Sequence, residues 1–287
     1  MKTRMLLLLI AALSVGSCRL AVSEKLNHEG GSVCSNSLEL DYRVWLPEGY
    51  EDGAESYPLL VWFHGGGESE YGWGRKGRIG EIVHERVKRG ELQPFIVVSP
   101  SYGAFAPVYR TGERLLLERV LPSVREKYRV NEVTVAFGHS MGGLSATMIA
   151  LRHPEVFRAV VAASPFFFDS TPWDTPEQKT AYDSAYGDRF LARWRYEVGM
   201  KFDSRADFAG WDPFSLVRAR QGPLGFDYLL TVGDKDSLGI YPHVQHFHEV
   251  LQEQGMEHEW YVQEGTGHGT VEALRLMDWL NDRATHE

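Results

Sequence analysis

The chain has 287 residues, of which 43% are hydrophobic and 24% are charged, and its formal net charge is −9. This length and apolar content allow a full hydrophobic core and predict one large folded domain, which excludes a disordered or fibrous chain. The acidic balance, with Lys and Arg scattered along the sequence, argues against nucleic acid as a partner.

The N-terminal segment has the pattern of a secretory signal peptide. Lys2 and Arg4 precede an apolar run over residues 5–15 that is interrupted only by Ser14, and small residues follow. The run is too short to span a bilayer. We therefore expect residues 1–17 to direct export, so that the mature protein is extracytoplasmic. A buried first helix is the alternative.

Residues 15–18, Val-Gly-Ser-Cys, also resemble a bacterial lipobox, in which the cysteine is lipid-modified and becomes the new N-terminus. Cleavage after Ser23 is the rival. The chain contains two cysteines, Cys18 and Cys34, so no disulfide framework supports the fold. If Cys18 is not acylated, a single bridge between them stays open. We expect membrane contact only through such a lipid, because no second hydrophobic span follows.

Beyond this segment, the sequence predicts a lead-in and then alternating strands and helices. Residues 18–37 are polar and contain Gly and Ser, so we expect a tether or irregular lead-in before a domain at 38–287. The predicted strands are 38–46, 58–63, 94–98, 133–137, 158–163, 228–232 and 259–262. The predicted helices are 116–128, weakened by Pro122, then 145–152, 242–254 and 271–281. This alternation implies an α/β fold, a mostly parallel sheet with helices on both faces.

Residues 164–222 interrupt the alternation and contain 13 aromatic residues. We interpret this segment as a cap inserted into the α/β domain. Most of its rings are expected to pack into the cap's own small core. Two or three, Phe166 and Trp173 among them, are expected to face the functional site and bind substrate.

A short motif lies between the predicted strand at 133–137 and the helix at 145–152. Residues 138–142 read Gly-His-Ser-Met-Gly, a G-x-S-x-G pattern. The pattern alone is weak, and an N-cap serine in an ordinary strand-to-helix turn is the alternative. A nucleophilic serine needs such a sharp turn, because the turn exposes the hydroxyl above the sheet while glycines let strand and helix approach. Ser140 is therefore the candidate nucleophile.

Hydrolysis by serine also needs an imidazole base and an acid that orients it. Asp234 and Asp236 follow the strand at 228–232, and His268 lies in a glycine-flanked loop after the strand at 259–262. We prefer Asp236 as the acid, because Gly-x-x-Asp lets the loop turn before the carboxylate points back. Asp234 is the alternative, and a surface-loop role is the alternative for His268.

Residues 64–67, His-Gly-Gly-Gly, follow the apolar strand at 58–63. They match the loop whose backbone N–H groups stabilise an oxyanion in serine hydrolases. We expect a donor from Gly65 or Gly66, with the Met141 N–H as its partner. Which of the two glycines donates stays open, and a plain glycine turn is the alternative.

We expect no metal and no cofactor. Asp234 and Asp236 do not begin a calcium loop, because Leu238 stands where an oxygen ligand is required. A group of histidines on the predicted helix at 242–254 lacks the His-Glu-x-x-His spacing of a zinc site, so we interpret its members as surface residues. They are His243, His246 and His248.

Several segments together resemble the esterase D-like branch of the α/β-hydrolases, the Putative esterase family. They are residues 42–47 with Gly49 and Tyr50, and residues 57–61, 64–67, 121–124, 128–130 and 138–143. The resemblance runs from about residue 38 to 282. That branch includes feruloyl and acetylxylan esterases, S-formylglutathione hydrolases and mycolyltransferases. The resemblance implies the α/β-hydrolase fold and carboxylic-ester chemistry without a cofactor, with Ser140 as nucleophile, His268 as base and Asp236 as acid.

The sequence thus predicts an exported serine carboxylesterase that acts on acyl esters of a polysaccharide or a related small substrate. Export argues against S-formylglutathione hydrolase activity, which is a cytosolic task. Three alternatives stay open: a peptidase of the prolyl-oligopeptidase type, an acyltransferase and a non-catalytic binding module. The first usually carries a propeller domain, for which the chain has no room, and the last typically lacks a triad member.

Overall fold

The computed structural model describes residues 26–35, 38–75, 79–103, 108–269 and 273–285. The predicted signal peptide, the lipobox with Cys18 and half of the predicted lead-in lie outside these residues. Cys34 is a free, exposed thiol. In the described part of the chain, no helix is long and apolar enough to cross a membrane.

The described chain is organised around one eight-stranded sheet. Its strands are β1 (Asn27–Ser35), β2 (Leu38–Leu46), β3 (Tyr57–Phe63), β4 (Ile96–Ser101), β5 (Val130–His139), β6 (Ala159–Ala163), β7 (Asp227–Gly233) and β8 (Glu259–Gln263). The strand order is β1-β2-β4-β3-β5-β6-β7-β8. β2 runs antiparallel to both of its neighbours, and the pairs from β4 to β8 are parallel. Every predicted strand is present.

The helices connect these strands. Those of the α/β core are α1 (Ile79–Lys88), α2 (Thr111–Leu115), α3 (Leu121–Lys127), α4 (Met141–Arg152), α9 (Tyr241–Glu253) and α10 (Ala273–Arg283), with a short 3-10 turn at Tyr50–Asp52. A π-helical turn, Leu116–Val120, joins α2 to α3. Pro122 lies in the first turn of α3, where its missing N–H is tolerated.

Strand β3 shows how the core is divided between the two faces of the sheet. All its residues are buried, and their side chains alternate. Leu59 and Phe63 pack into the layer formed by α2 to α4 and α9. Leu60 and Trp62 pack into the layer formed by α1 and α10. The prediction of a mostly parallel sheet with helices on both faces is therefore confirmed.

Strand β1 corrects the prediction of an irregular lead-in at 18–37. Asn27–Ser35 pairs antiparallel with β2 along its whole length, so these residues belong to the sheet. β1 is an edge strand with no fully buried residue, and it contains Gly30 and Gly31. Its stability comes from pairing rather than from an apolar face, so the sequence carries no strand signal there.

The insertion at 164–222 forms a helical cap between β6 and β7. Its helices are α5 (Pro176–Tyr186), α6 (Leu191–Lys201), α7 (Arg205–Ala209) and α8 (Pro213–Ala219). Its interior is aromatic: the Phe208 ring lies 5.0 Å from that of Phe202 and 6.1 Å from that of Trp194, centroid to centroid. Most of the cap rings thus pack against one another, as expected.

Two tyrosine–histidine pairs tie the cap to the α/β core. The Tyr182 hydroxyl on α5 lies 2.9 Å from His243 Nδ1 on α9, and the Tyr186 hydroxyl lies 3.1 Å from His246 Nδ1. His246 Nε2 lies 3.0 Å from Asp169 Oδ2. His243 is only 1% exposed. The surface interpretation of these two histidines was therefore wrong, because the cap covers this face of α9.

The tautomer of His243 follows from its partner. The Tyr182 oxygen already accepts a hydrogen bond from the Asp169 N–H, so its own proton points to His243 Nδ1. Nδ1 is then an acceptor, and a proton on it would remove this hydrogen bond. Burial, followed by the nearby His246, lowers the pKa of His243 from 6.5 to about 4, while Asp183 acts in the opposite direction.

We predict that His243 makes the protein less stable as the pH falls. In the unfolded chain His243 has a pKa of 6.5 and is protonated below that pH, whereas in the folded protein it stays neutral until about pH 4. This group alone then removes roughly 3 kcal/mol of unfolding free energy across that window. The variant His243→Gln keeps a hydrogen-bond acceptor but does not titrate.

Urea denaturation at a series of pH values between 4.5 and 7.5 measures the effect. The free energy of unfolding of His243→Gln is expected to fall less steeply with decreasing pH than that of the wild type. Gln245→Ala, on the same helix, is the control and keeps the wild-type slope. Equal slopes for all three proteins would contradict the assignment.

Candidate active site

Ser140 occupies a sharp turn between β5 and α4. Its backbone has φ 56° and ψ −119°, a conformation that non-glycine residues rarely adopt. The surrounding chain holds it there: the Ser140 N–H donates to the Ala163 carbonyl at 2.9 Å, and the Ser140 carbonyl accepts from Phe166 at 3.0 Å. The hydroxyl is thereby placed at the N-terminus of α4, where the helix dipole favours negative charge.

Two glycines make this turn sterically feasible. A Cβ on Gly138 would lie 2.1 Å from the Gly142 carbonyl oxygen, and one on Gly142 would lie 1.9 Å from the Phe63 carbonyl oxygen. Both distances are far below van der Waals contact, and both partners are backbone atoms that cannot move independently. The two glycines therefore let the turn sit directly against β3.

His268 and Asp236 lie in loops after β8 and β7. His268 Nδ1 is 2.8 Å from Asp236 Oδ2, and the Asp236 side chain is fully buried. Because a carboxylate can only accept, Nδ1 carries the proton and Nε2 is left with a lone pair. The second Asp236 oxygen accepts from the Leu238 N–H at 2.8 Å, which fixes the carboxylate.

Asp234, the alternative acid, has different hydrogen-bond and charge partners. Its Oδ1 accepts a hydrogen bond from the Gly265 N–H at 2.6 Å, and its other oxygen lies 3.4 Å from Lys235 Nζ. Asp234 therefore ties the loop after β7 to the loop that carries His268. Of the two aspartates, Asp236 is the one that contacts the imidazole.

The glycine-rich loop after β3 lies beside Ser140. A Cβ on Gly65 would lie 3.7 Å from the Ser140 Cβ, so the loop backbone is close to the hydroxyl. The Gly65 N–H points to Glu68 Oε2 at 3.4 Å. His64 fixes the loop: its Nδ1 lies 2.9 Å from the Gly65 carbonyl oxygen and its ring stacks on Tyr102 at 4.2 Å.

Ser140 and His268 both line a cavity of about 460 Å³, together with Gly65, Gly66 and Met141. This volume is within the range of sites for small organic ligands. Much of the wall is aromatic. The Phe, Tyr and Trp rings that line it are Trp62, Tyr109, Phe166, Phe190 and Trp194.

The two cap rings expected at the site have different positions. Phe166 lines the cavity, and its role in binding substrate stays a prediction. Trp173 does not, and that prediction was wrong: its ring packs toward Phe208 at 6.5 Å, in the aromatic interior of the cap. Both residues are aromatic, so the sequence alone does not show which of them reaches the cavity. Their different positions follow from the path of the cap chain.

A charged stripe on α6, which was not predicted from the sequence, also lines the cavity. Arg193, Glu197 and Lys201 line the cavity on the side of the cap. They are spaced by four residues and so share one face of the helix. This spacing was visible in the sequence, but nothing in the sequence places that face of α6 above Ser140.

The described residues contain no group of three or more His, Cys, Asp or Glu side chains arranged to hold a metal ion. His248 Nδ1 lies 2.7 Å from His258 Nε2, and His258 Nδ1 lies 2.8 Å from the Met256 carbonyl oxygen. This pair therefore joins α9 to the loop before β8.

The strand order, the strained serine turn and the loops after β7 and β8 together define the α/β-hydrolase fold. The structure is similar to solved structures of this fold. One is a ferulic acid esterase, with a TM-score of 0.65 and 21% identity over 90% of this chain and 98% of that one. Another is an S-formylglutathione hydrolase from Agrobacterium tumefaciens, with a TM-score of 0.63 and 19% identity over 92% and 98%.

A sequence profile of the family described as Putative esterase matches residues 35–272. The chain belongs to this family, as its motifs indicated.

Two curated relatives show local similarity. An endo-1,4-beta-xylanase/feruloyl esterase of Xylanibacter ruminicola is 32% identical over 131 residues, which cover 40% of this chain and 18% of that protein. Endo-1,4-beta-xylanase Y of Acetivibrio thermocellus is 31% identical over 86 residues, which cover 30% and 8%. The chain thus spans less than a fifth of the length of either relative.

Proposed function

We propose that the protein hydrolyses its ester through a Ser140–His268–Asp236 triad and an acyl-enzyme. The observation that carries this proposal is the 2.8 Å contact between His268 Nδ1 and Asp236, which leaves Nε2 free to act as a base in the cavity that Ser140 also lines. Asp236 keeps the imidazole in this tautomer and stabilises the imidazolium that forms.

In the first step Ser140 Oγ attacks the ester carbonyl carbon, and His268 Nε2 takes the hydroxyl proton. The tetrahedral intermediate then expels the alcohol, which receives that proton from His268, and the acyl group stays on Ser140. Water attacks the acyl-enzyme in the same way, with His268 again as base and then acid, and releases the carboxylic acid.

The developing oxyanion is stabilised by one backbone donor at the N-terminus of α4 and one in the glycine-rich loop after β3. We assign this role to the Met141 N–H and, of the two glycines, to Gly66, because the Gly65 N–H is directed toward Glu68. One such donor lowers the barrier by about 3 kcal/mol. Phe166 forms part of the apolar wall for the acyl group.

The proposed substrate is an acyl ester on a polysaccharide, and the proposed location is extracytoplasmic. The pattern of residues 1–17 supports export. The curated relatives named endo-1,4-beta-xylanases, one of them also a feruloyl esterase, support a plant-polysaccharide ester. The aromatic cavity fits an aromatic acyl group such as feruloyl better than a bare acetyl group.

A substrate panel tests this proposal. We expect the protein without residues 1–17 to hydrolyse methyl ferulate with a higher kcat/KM than methyl acetate or methyl butyrate, because an aromatic acyl group fills the cavity. A peptide p-nitroanilide is expected to resist cleavage. Preferential cleavage of the anilide would replace the proposal with a peptidase, and transfer to an added alcohol that outcompetes water would replace it with an acyltransferase.

A further inference from the structure

Glu68 binds both backbone polar groups of Gly65, the first glycine of the loop after β3. The Glu68 N–H donates to the Gly65 carbonyl oxygen at 3.3 Å, and Glu68 Oε2 accepts from the Gly65 N–H at 3.4 Å. Because a peptide unit is planar, the direction of the Gly65 carbonyl also sets the direction of the Gly66 N–H, which belongs to the same unit. Glu68 therefore restrains the loop on both sides of Gly65, including the unit that carries the proposed oxyanion donor.

Arg75 binds the other oxygen of the Glu68 carboxylate. Its Nη1 lies 3.1 Å from Glu68 Oε1, and the Arg75 and Glu68 side chains are 21% and 18% exposed. Each carboxylate oxygen thus has its own donor, so the Glu68 side chain cannot rotate without losing one of them. An ion pair that is this far removed from solvent is screened less than a pair on the open surface. Arg75 therefore fixes the carboxylate and balances its charge.

The Glu68 carboxylate lies close to the place where negative charge develops during the reaction. Glu68, Gly66 and Ser140 line the same cavity. A Cβ on Gly65, whose N–H donates to Glu68, would lie 3.7 Å from the Ser140 Cβ. A carboxylate without a cation would raise the barrier, because like charges repel strongly where water is partly excluded. The positive charge of Arg75 opposes this effect.

We propose that Glu68 is a positioning residue of the oxyanion site, and that Arg75 offsets the negative charge that Glu68 brings to it. This inference rests on the proposed function. The two residues then have separable roles. Glu68 acts as a hydrogen-bond acceptor for the loop, a role that an uncharged amide oxygen can also fill. Arg75 is needed because that acceptor is a carboxylate, so Arg75 becomes dispensable once the acceptor is neutral.

Steady-state kinetics on the best ester of the panel separate these roles. Glu68→Gln is expected to keep kcat within about threefold of the wild type, since its amide oxygen still accepts from the Gly65 N–H. Glu68→Ala removes the acceptor and is expected to lower kcat about tenfold with little change in KM, because the loss is confined to the transition state. Thermal unfolding of each variant shows whether it is folded at the assay temperature.

A double-mutant cycle tests the charge of the pair. Arg75→Gln leaves the carboxylate without its cation, and we expect kcat to fall about tenfold. Glu68→Gln combined with Arg75→Gln is expected to return kcat to within about threefold of the wild type, a recovery that two independent structural losses would not give. The loss in Arg75→Gln is also expected to shrink when NaCl is raised from about 0.05 M to about 0.5 M, since salt screens the exposed part of the carboxylate.

Glu70→Gln is the control, because it makes the same charge change in the same loop at a residue that does not line the cavity. It is expected to keep the wild-type kcat. A double variant as slow as Arg75→Gln, or a wild-type kcat in Glu68→Ala, would overturn the inference. A higher KM with unchanged kcat in Glu68→Gln would also overturn it, because Glu68 would then bind the substrate directly. Failure of the proposed function is recognised separately, because hydrolysis would then be absent from the whole panel or would survive Ser140→Ala.

Discussion

Replacing Ser140 with alanine is expected to lower kcat for ester hydrolysis on the order of 10⁵-fold, which leaves only the background reaction. The substitution removes the nucleophile, so no acyl-enzyme can form. Binding is expected to persist, because the cavity and its aromatic walls do not depend on the hydroxyl. Steady-state hydrolysis of the best ester of the panel gives kcat, and quenching of intrinsic tryptophan fluorescence by the same ester gives the binding constant.

A presteady-state experiment adds a sharper criterion. If deacylation is slow, the wild type releases a burst of alcohol equal to the enzyme concentration, and Ser140→Ala releases none. The control is Ser32→Ala on the exposed edge strand β1, which is expected to behave as the wild type. Residual activity within tenfold of the wild type in Ser140→Ala would remove Ser140 from the mechanism.

The second large effect is expected at Asp236. Asp236→Asn should lower kcat by about 10³- to 10⁴-fold, because an amide cannot hold His268 in the tautomer that leaves Nε2 as a base. Asp234→Asn, a matched change in the same loop, should lower kcat by less than about tenfold, since Asp234 contacts the Gly265 N–H and not the imidazole.

Both variants are measured as kcat/KM against pH, with thermal unfolding alongside. Asp234→Asn is expected to show a lower melting temperature, because one tie between the two loops is weakened, and a wild-type pH profile. A larger loss of kcat in Asp234→Asn than in Asp236→Asn would reassign the acid to Asp234.

The parts of the fold that the sequence predicted well are those that local pattern determines. β3 is a continuous apolar run with a defined end, β5 is apolar in its second half, and the turn after β5 carries glycines that only a close approach requires. The loops with Asp236 and His268 follow predicted strands, so their common edge of the sheet follows from the parallel topology. The weight given to Asp236 over Asp234 agrees with the contact that the structure shows.

The parts that the sequence did not predict depend on contacts between distant segments. β1 exists because β2 offers it an edge, and Val33 is its one β-branched residue. The burial of His243 depends on a cap that lies about sixty residues earlier in the chain. The path of the cap chain determines that Phe166 lines the cavity while Trp173 packs in the interior of the cap. In each case the deciding partner is remote, and no local periodicity encodes it.

The position of the cap between β6 and β7 determines how easily its length can change. The insertion leaves from β6 and returns into β7, and these strands are direct parallel neighbours. Adjacent strands are only about 4.8 Å apart, but β6 and β7 are parallel, so the chain leaves β6 at one end of the strands and must enter β7 at the other end. The insertion is therefore also the crossover connection between them. A connection that is needed in any case can be lengthened at small entropic cost, since each doubling of its length adds only about 0.6 kcal/mol. The cap can therefore change in length without moving the strands that position Ser140, Asp236 and His268, which lie outside it.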